Sequence, residues 1–247
     1  FFVAIDSFKN CLTSKEANEA ARLGIMKTRP DADVVCFEVS DGGEGFLDAF
    51  KPDEIVSCHV HDALMRWRDS AYGIKDGKAI IEVAKAVGLG LIEPENRNPL
   101  IATSYGVGEL MVQAMRRGCR EFVVGLGGSG TSDCGLGMLK ALRHEWHATA
   151  CKAWYEPFDT LWLKDIKVTL ATDVDNPLCG PYGAARVFAP QKGADEAMVE
   201  KIERRAVTFA KMAALHQGRD CSSMPGAGAA GGLGYAFMEF MDAKVES

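Results

Sequence analysis

Glu121-Phe122-Val123-Val124-Gly125-Leu126-Gly127-Gly128-Ser129-Gly130-Thr131-Ser132-Asp133 decides how the rest of this 247-residue chain is read. Residues 121–124 read as a strand, the glycines after them as a loop, and residues 136–142 as a helix that follows. Glycine at the C-terminal end of a parallel strand lets backbone N–H groups approach an anion, and the next helix N-terminus adds a favourable dipole. Phosphate or carboxylate is therefore the expected guest. The segment lacks the Gly-Lys-Ser/Thr ending of a P-loop. Gly125, Gly127 and Gly130 spell G-x-G-x-x-G, but no acidic residue ends a next strand at the usual distance, so a dinucleotide fingerprint is not supported. A tight strand-to-helix turn is the competing reading.

On the N-terminal side, residues 1–5 form a continuous apolar run, the profile of a strand buried on both faces. Thr13 and Glu16 have capping-box spacing, and the helix they open runs up to Pro30. Residues 33–39 read as a second strand that ends in Ser40-Asp41-Gly42-Gly43-Glu44-Gly45. This βαβα order favours an α/β protein. Between residues 57 and 87 the pattern becomes hairpin-like, with Lys75-Asp76-Gly77-Lys78 as a two-residue turn, and a domain boundary is placed near Lys51-Pro52-Asp53. Thr103 or Ser104 is expected to cap a helix that runs to Arg117. On the C-terminal side, a strand over 166–171 ends at Thr172-Asp173-Val174-Asp175-Asn176-Pro177. A long amphipathic helix over 195–215 closes on Gly218.

Hydrophobic residues make up 47% of the chain and charged residues 25%, which excludes disordered and disulfide-scaffold classes. The balance of 28 basic and 34 acidic residues gives a net charge of −6, opposite to that of a general nucleic-acid binder. No apolar run is long enough to span a bilayer. The eight cysteines, at 11, 36, 58, 119, 134, 151, 179 and 221, show no metal-ligand or C-x-x-C spacing. Reduced thiols and a cytoplasmic address are expected. The expected partners are small molecules, without nucleic acid or membrane, and a homo-oligomer is left open. The chain opens without Met, so residues are expected to precede Phe1.

Of the 26 glycines, three lie at 42, 43 and 45, six between 125 and 137, and five between 226 and 234. Asp6, Asp41, Asp133, Asp173 and Asp175 all stand at expected strand ends, where carboxylates can hold Mg²⁺ or take a proton from a hydroxyl. The plain alternative for each is a helix cap or turn. Lys9 and Lys192 sit on loops and could offer charge to a phosphate, against simple solvation. Arg66 and Arg97 have the fork suited to a small carboxylate. Residues 225–234 combine glycine with alanine ahead of an apolar helix, which close packing alone would also explain. The five histidines show no catalytic spacing.

Seven segments taken in order resemble one family. They are Asp6-Ser7-Phe8-Lys9, Asp41-Gly42-Gly43-Glu44-Gly45, Asn98-Pro99-Leu100, Gly127-Gly128-Ser129-Gly130-Thr131-Ser132-Asp133, residues 173–177, Pro190-Gln191-Lys192-Gly193-Ala194 and residues 225–232. Together they are similar to the bacterial glycerate kinases of the two-domain, ATP-dependent type. The resemblance implies two α/β domains, one Rossmann- or flavodoxin-like and built from both chain ends, the other formed by the middle of the chain. Residues 1–52 would be the first part of the former, and residues 53–247 the second α/β domain. It implies ATP as co-substrate, Mg²⁺, D-glycerate as acceptor and 2-phosphoglycerate as product. Asp133, Asp173, Lys9 and Lys192 become the expected catalytic residues, with Asp173 also as the Mg²⁺ ligand. Asp6, Ser7, Asp41, Gly42, Gly43, Gly127, Gly128, Ser129, Gly130, Thr131, Gln191, Gly226 and Gly228 become the expected substrate and nucleotide contacts.

The connection over 142–166 is shorter than the family pattern, and the family continues where this sequence stops. Further strands of the first domain are therefore expected beyond Ser247, and a polypeptide ending there is expected to associate and to be inactive. A nucleotide-dependent oxidoreductase and a non-catalytic glycerate-binding relative are the alternatives.

Overall fold

The computed structural model describes residues 1–8, 11–146, 163 and 165–246. Its first unit is small. Strands β1 (Phe2–Ile5) and β2 (Val35–Glu38) pair in parallel, Phe2 opposite Val35, and helix α1 (Ser14–Thr28) connects them. The capping box forms as its spacing requires: Glu16 N–H donates to Thr13 Oγ1 at 3.2 Å, and Thr13 N–H donates to Glu16 Oε2 at 2.8 Å. Inside this unit Asn18 ties the layers together, its amide donating to the carbonyls of Ile5 and Phe37. The expectation that β1 is buried on both faces is corrected here. Val3 is 8% exposed but Phe2 is 81% exposed, because two strands carry a helix on one face and leave Phe2 and Phe37 on the open one.

The chain leaves that sheet through α2 (Phe46–Phe50) and enters a larger one with β3 (Glu54–His61), crossing Lys51-Pro52-Asp53. β3, β4 (Trp67–Lys75) and β5 (Lys78–Glu82) form an antiparallel meander. The turn between β4 and β5 pairs Lys75 with Lys78, and Asp76 and Gly77 take φ of 50° and 75°, the left-handed pair a two-residue hairpin needs.

From β5 onward the strands are parallel. α3 (Val83–Val87) and α4 (Tyr105–Arg116) lead to β6 (Glu121–Gly125), and α5 (Leu136–Trp146) to β7 (Lys167–Ala171). α6 (Ala184–Phe188), α7 (Glu196–Gln217) and α8 (Ala229–Met241) follow, before β8 (Lys244–Glu246) completes the order β3-β4-β5-β6-β7-β8. Helix α7 ends at Gly218 with φ 71°, as the sequence predicted. Apolar side chains of α4 and α5, among them Leu110, Met111, Met138 and Leu142, are fully buried with Tyr72 and Phe122 of the sheet. The fold is α/β with a mostly parallel sheet.

None of the described helices is long and apolar enough to cross a membrane. The seven described cysteines are free thiols, and Cys151 lies outside the described residues. Thiol titration of the denatured chain without reductant should count all eight cysteines in the sequence; a stable shortfall would reveal a disulfide.

Candidate active site

Strands β5, β6 and β7 end side by side at Glu82, Gly125 and Ala171, and the loop after β6 is built over those ends. Leu126 N–H donates to Ala171 O at 3.1 Å, Gly127 N–H to Gly42 O at 2.8 Å and Gly130 N–H to Val87 O at 2.8 Å. The close approach of two backbones explains the glycines: a Cβ on Gly127 would lie 2.5 Å from Gly43 Cα. The third glycine cluster meets the same loop. Cys134 N–H donates to Gly231 O at 3.1 Å, and a Cβ on Gly231, itself at φ 67°, would overlap Thr131 O. Three clusters that are remote in sequence thus form one backbone-to-backbone junction.

Within that junction the loop's backbone N–H groups divide in two. The N–H groups of Gly127 and Gly130 hold the loop in place. Those of Gly128 and Ser129 meet no acceptor among the described residues, and Gly128 is exposed. Gly128 N–H, on the exposed residue, is a backbone donor open to an anion, and Ser129, 6% exposed, holds the other unpaired N–H just behind it in the chain.

Lys192 does not project into solvent. It is 3% exposed, and its ammonium donates to Thr131 O at 2.6 Å and to Ser129 Oγ at 3.2 Å. It sits beneath the loop and fixes its curvature. Burial pushes its pKa down to about 8, partly opposed by the negative charge of Asp133. A positive charge held in a dry environment directly behind two free N–H groups makes the loop electropositive.

Asp133 is first a structural cap. Its Oδ2 accepts from Ser104 N–H at 2.8 Å, Ser104 Oγ at 3.0 Å, Gly137 N–H at 3.0 Å and Thr103 Oγ1 at 3.3 Å. Its Oδ1 accepts only Gly135 N–H, at 3.1 Å, among the described residues. One oxygen is saturated, and the other keeps acceptor capacity. Ser104 stands at the N-cap of α4, as its spacing predicts, but its hydroxyl serves a different helix, accepting Met138 N–H at 3.0 Å at the start of α5.

The remaining expected site residues divide. Asp41 turns back on its own loop, Oδ1 accepting Gly43 N–H at 2.9 Å, and Gly42 and Gly43 are buried against the strand ends. Asp6 accepts Ser7 N–H at 2.6 Å, and Ser7 faces Glu44 and Gly45 across a second cleft of about 710 Å³. Asp173 and Asp175 are exposed and have no hydrogen-bond partner among the described residues; Gln191 is exposed as well. Gly226 and Gly228 are buried, and the structure gives them to close packing, Gly228 N–H donating to Asn176 O at 2.8 Å. Lys9 lies outside the described residues. Arg66 is consumed by Asp62 at 2.7 Å and Glu93 at 3.0 Å, and Arg97 Nε donates to Ile92 O at 3.4 Å.

Two features escaped the sequence reading. Glu82, 2% exposed at the end of β5, accepts Leu47 N–H at 3.0 Å, so a buried carboxylate anchors α2 to the large sheet; desolvation raises its pKa. The other is a cleft of about 590 Å³ lined by Ser132, Asp133, Leu136 and the Lys201, Arg204 and Arg205 side of α7. The three cations at i, i+3 and i+4 were the available signal, but without the tertiary fold they are an ordinary solvated helix face.

Comparisons with known proteins point one way. The model of a family described as the glycerate kinase family matches residues 1–247. A glycerate kinase of Haemophilus influenzae is 40% identical over 253 residues, covering 95% of this chain and 67% of the relative. A glycerate 2-kinase of Escherichia coli is 39% identical over 269 residues, covering 99% of this chain and 69% of the relative. A crystal structure assigned to a glycerate kinase 2 of Salmonella typhimurium LT2 superposes with a TM-score of 0.80 at 33% identity, over 99% of this chain and 70% of that one.

Proposed function

We propose, from the premise that this chain belongs to the glycerate kinase family, that it transfers the γ-phosphoryl group of ATP to the 2-hydroxyl of D-glycerate. Enzymes of this family are phosphotransferases, which sets aside an oxidoreductase. The single observation that carries the reading is the junction of residues 126–135: two free backbone N–H groups above a buried lysine, with a half-committed carboxylate a few residues on.

Phosphoryl transfer asks little covalent chemistry of a protein, chiefly positioning and charge neutralisation. In the proposed reaction Gly128 and Ser129 N–H donate to phosphate oxygens, and Lys192 supplies positive field from below. Asp133 Oδ1 accepts the proton as the acceptor O–H breaks. The new O–Pγ bond forms while the bond from Pγ to the β-phosphate oxygen breaks, and ADP leaves with that electron pair.

Among the described residues no three-ligand metal cluster exists. Mg²⁺ on a nucleotide needs one or two carboxylates plus phosphates, and the exposed, unpartnered Asp173 and Asp175 match that donor set. They are the residues that would hold it, and the ion would offset phosphate charge there.

The test is the NMR spectrum of the product from ATP and D-glycerate. 2-Phosphoglycerate is expected, with coupled ADP release from glycerate and not from glycerol. Formation of 3-phosphoglycerate would overturn the regiochemistry. Equal turnover of glycerol would overturn the need for a carboxylate.

A further inference from the structure

We infer that the cleft between α7 and the loop after β6 seats the carboxylate of the acceptor, with Arg204 as the residue that selects an acidic substrate. The inference rests on the proposed reading of Asp133 and extends it to substrate selection.

Four observations carry it. The cleft is walled by the far end of the loop that leaves the C-terminal end of parallel strand β6, Ser132 and Asp133, and by Leu100 ahead of α4. Its charge is unbalanced. Lys201 and Arg204 have no acidic partner among the described residues, and the one carboxylate in the wall, Asp133, already holds five hydrogen bonds.

Arg205 is steadied, its Nη1 donating to Leu100 O at 3.0 Å, which keeps the side chain over the opening with its other N–H groups to spare. Finally, Ser132 is one of the cleft's residues at 8% exposure, and its enclosed hydroxyl has no hydrogen-bond partner among the described residues. A hydroxyl left unpaired beside the cleft is a group that can turn to a polar atom arriving there. A small hydroxy acid matches these features: its carboxylate meets the cations, and a hydroxyl of it meets Asp133 Oδ1, which accepts one hydrogen bond, from Gly135 N–H, among the described residues.

The experiment pairs steady-state kinetics with calorimetric titration of D-glycerate into the nucleotide-free chain, for the wild type, Arg204→Gln, Arg204→Lys and Ser132→Ala. Arg204 is exposed, so its replacement is not expected to disturb folding. Arg204→Gln should raise KM and Kd for D-glycerate by ~10-fold or more while KM for ATP stays within ~2-fold, since the substitution removes a charge-assisted hydrogen bond to the acceptor alone. Arg204→Lys should recover part of that affinity, and Ser132→Ala should show a smaller rise in the same parameter. An unchanged glycerate KM in Arg204→Gln would overturn the inference. So would a rise in the KM for ATP instead, which would put nucleotide phosphates in the cleft.

Failure of the functional reading is separable. If the wild type does not phosphorylate glycerate but binds it, and Arg204→Gln abolishes that binding, the cleft assignment stands without the kinase. Absence of calorimetric binding in the wild type would refute the cleft assignment whatever the turnover.

Discussion

Asp133→Asn should lower kcat by ~100-fold or more while leaving the fold intact, the drop expected when a general base becomes a group that cannot take a proton. The geometry makes this a clean substitution. An asparagine can turn its carbonyl oxygen toward the four donors that now meet Oδ2, the N–H groups of Ser104 and Gly137 and the hydroxyls of Ser104 and Thr103. The amide NH₂ then replaces Oδ1, and among the described hydrogen bonds only the 3.1 Å bond from Gly135 N–H is broken. Stability should fall by about 1–2 kcal/mol, the range for a weakened cap. Near-normal turnover, with stability measured by urea unfolding, would leave Asp133 a cap and nothing more.

Lys192→Met should reduce kcat/KM by ~100-fold, because a preorganised charge in a dry site is worth far more than one in water. Methionine keeps much of the volume but leaves Thr131 O without its 2.6 Å donor. The pH dependence identifies the group. In the ligand-free chain Lys192 titrates at about 8, so kcat/KM of the wild type should fall as pH rises through that value, and this alkaline limb should vanish in Lys192→Met.

Stability moves the other way. The unfolded chain keeps the lysine proton up to its ordinary value of 10.5, whereas the folded chain releases it near 8. Between those values the unfolded state binds more protons, so this group makes the fold more stable as pH rises. Activity that falls while urea resistance from this group holds or rises separates the titration of Lys192 from alkaline unfolding. A limb that persists in Lys192→Met would assign it to another residue.

Local chemistry was legible directly in the sequence. The Thr13–Glu16 box, the Asp76-Gly77 hairpin and the Gly218 stop each depend on a few adjacent residues, whose allowed φ and hydrogen-bond reach are fixed by their own side chains. The α/β order and the ordered motifs that mark the family were legible in the sequence as well, whereas the meeting of the three glycine clusters in one backbone junction was not.

What each polar group does there was settled only by the tertiary structure. Lys192 looked like any loop lysine until the chain brought Thr131 and Ser129 over it, and Ser104, which does stand at the N-cap of α4, gives its hydroxyl to α5 only because that helix packs within reach. Glu82 gave no sign of anchoring α2, since Leu47 lies in another part of the chain. The apolar run at the N-terminus read as a strand buried on both faces, yet burial is a property of neighbours, and β1 has a helix on only one side. Local conformation follows from the residues at hand, whereas desolvation, charge balance and the partner of each polar atom depend on which remote segments fold against it, and no periodicity or spacing in the sequence encodes those distances.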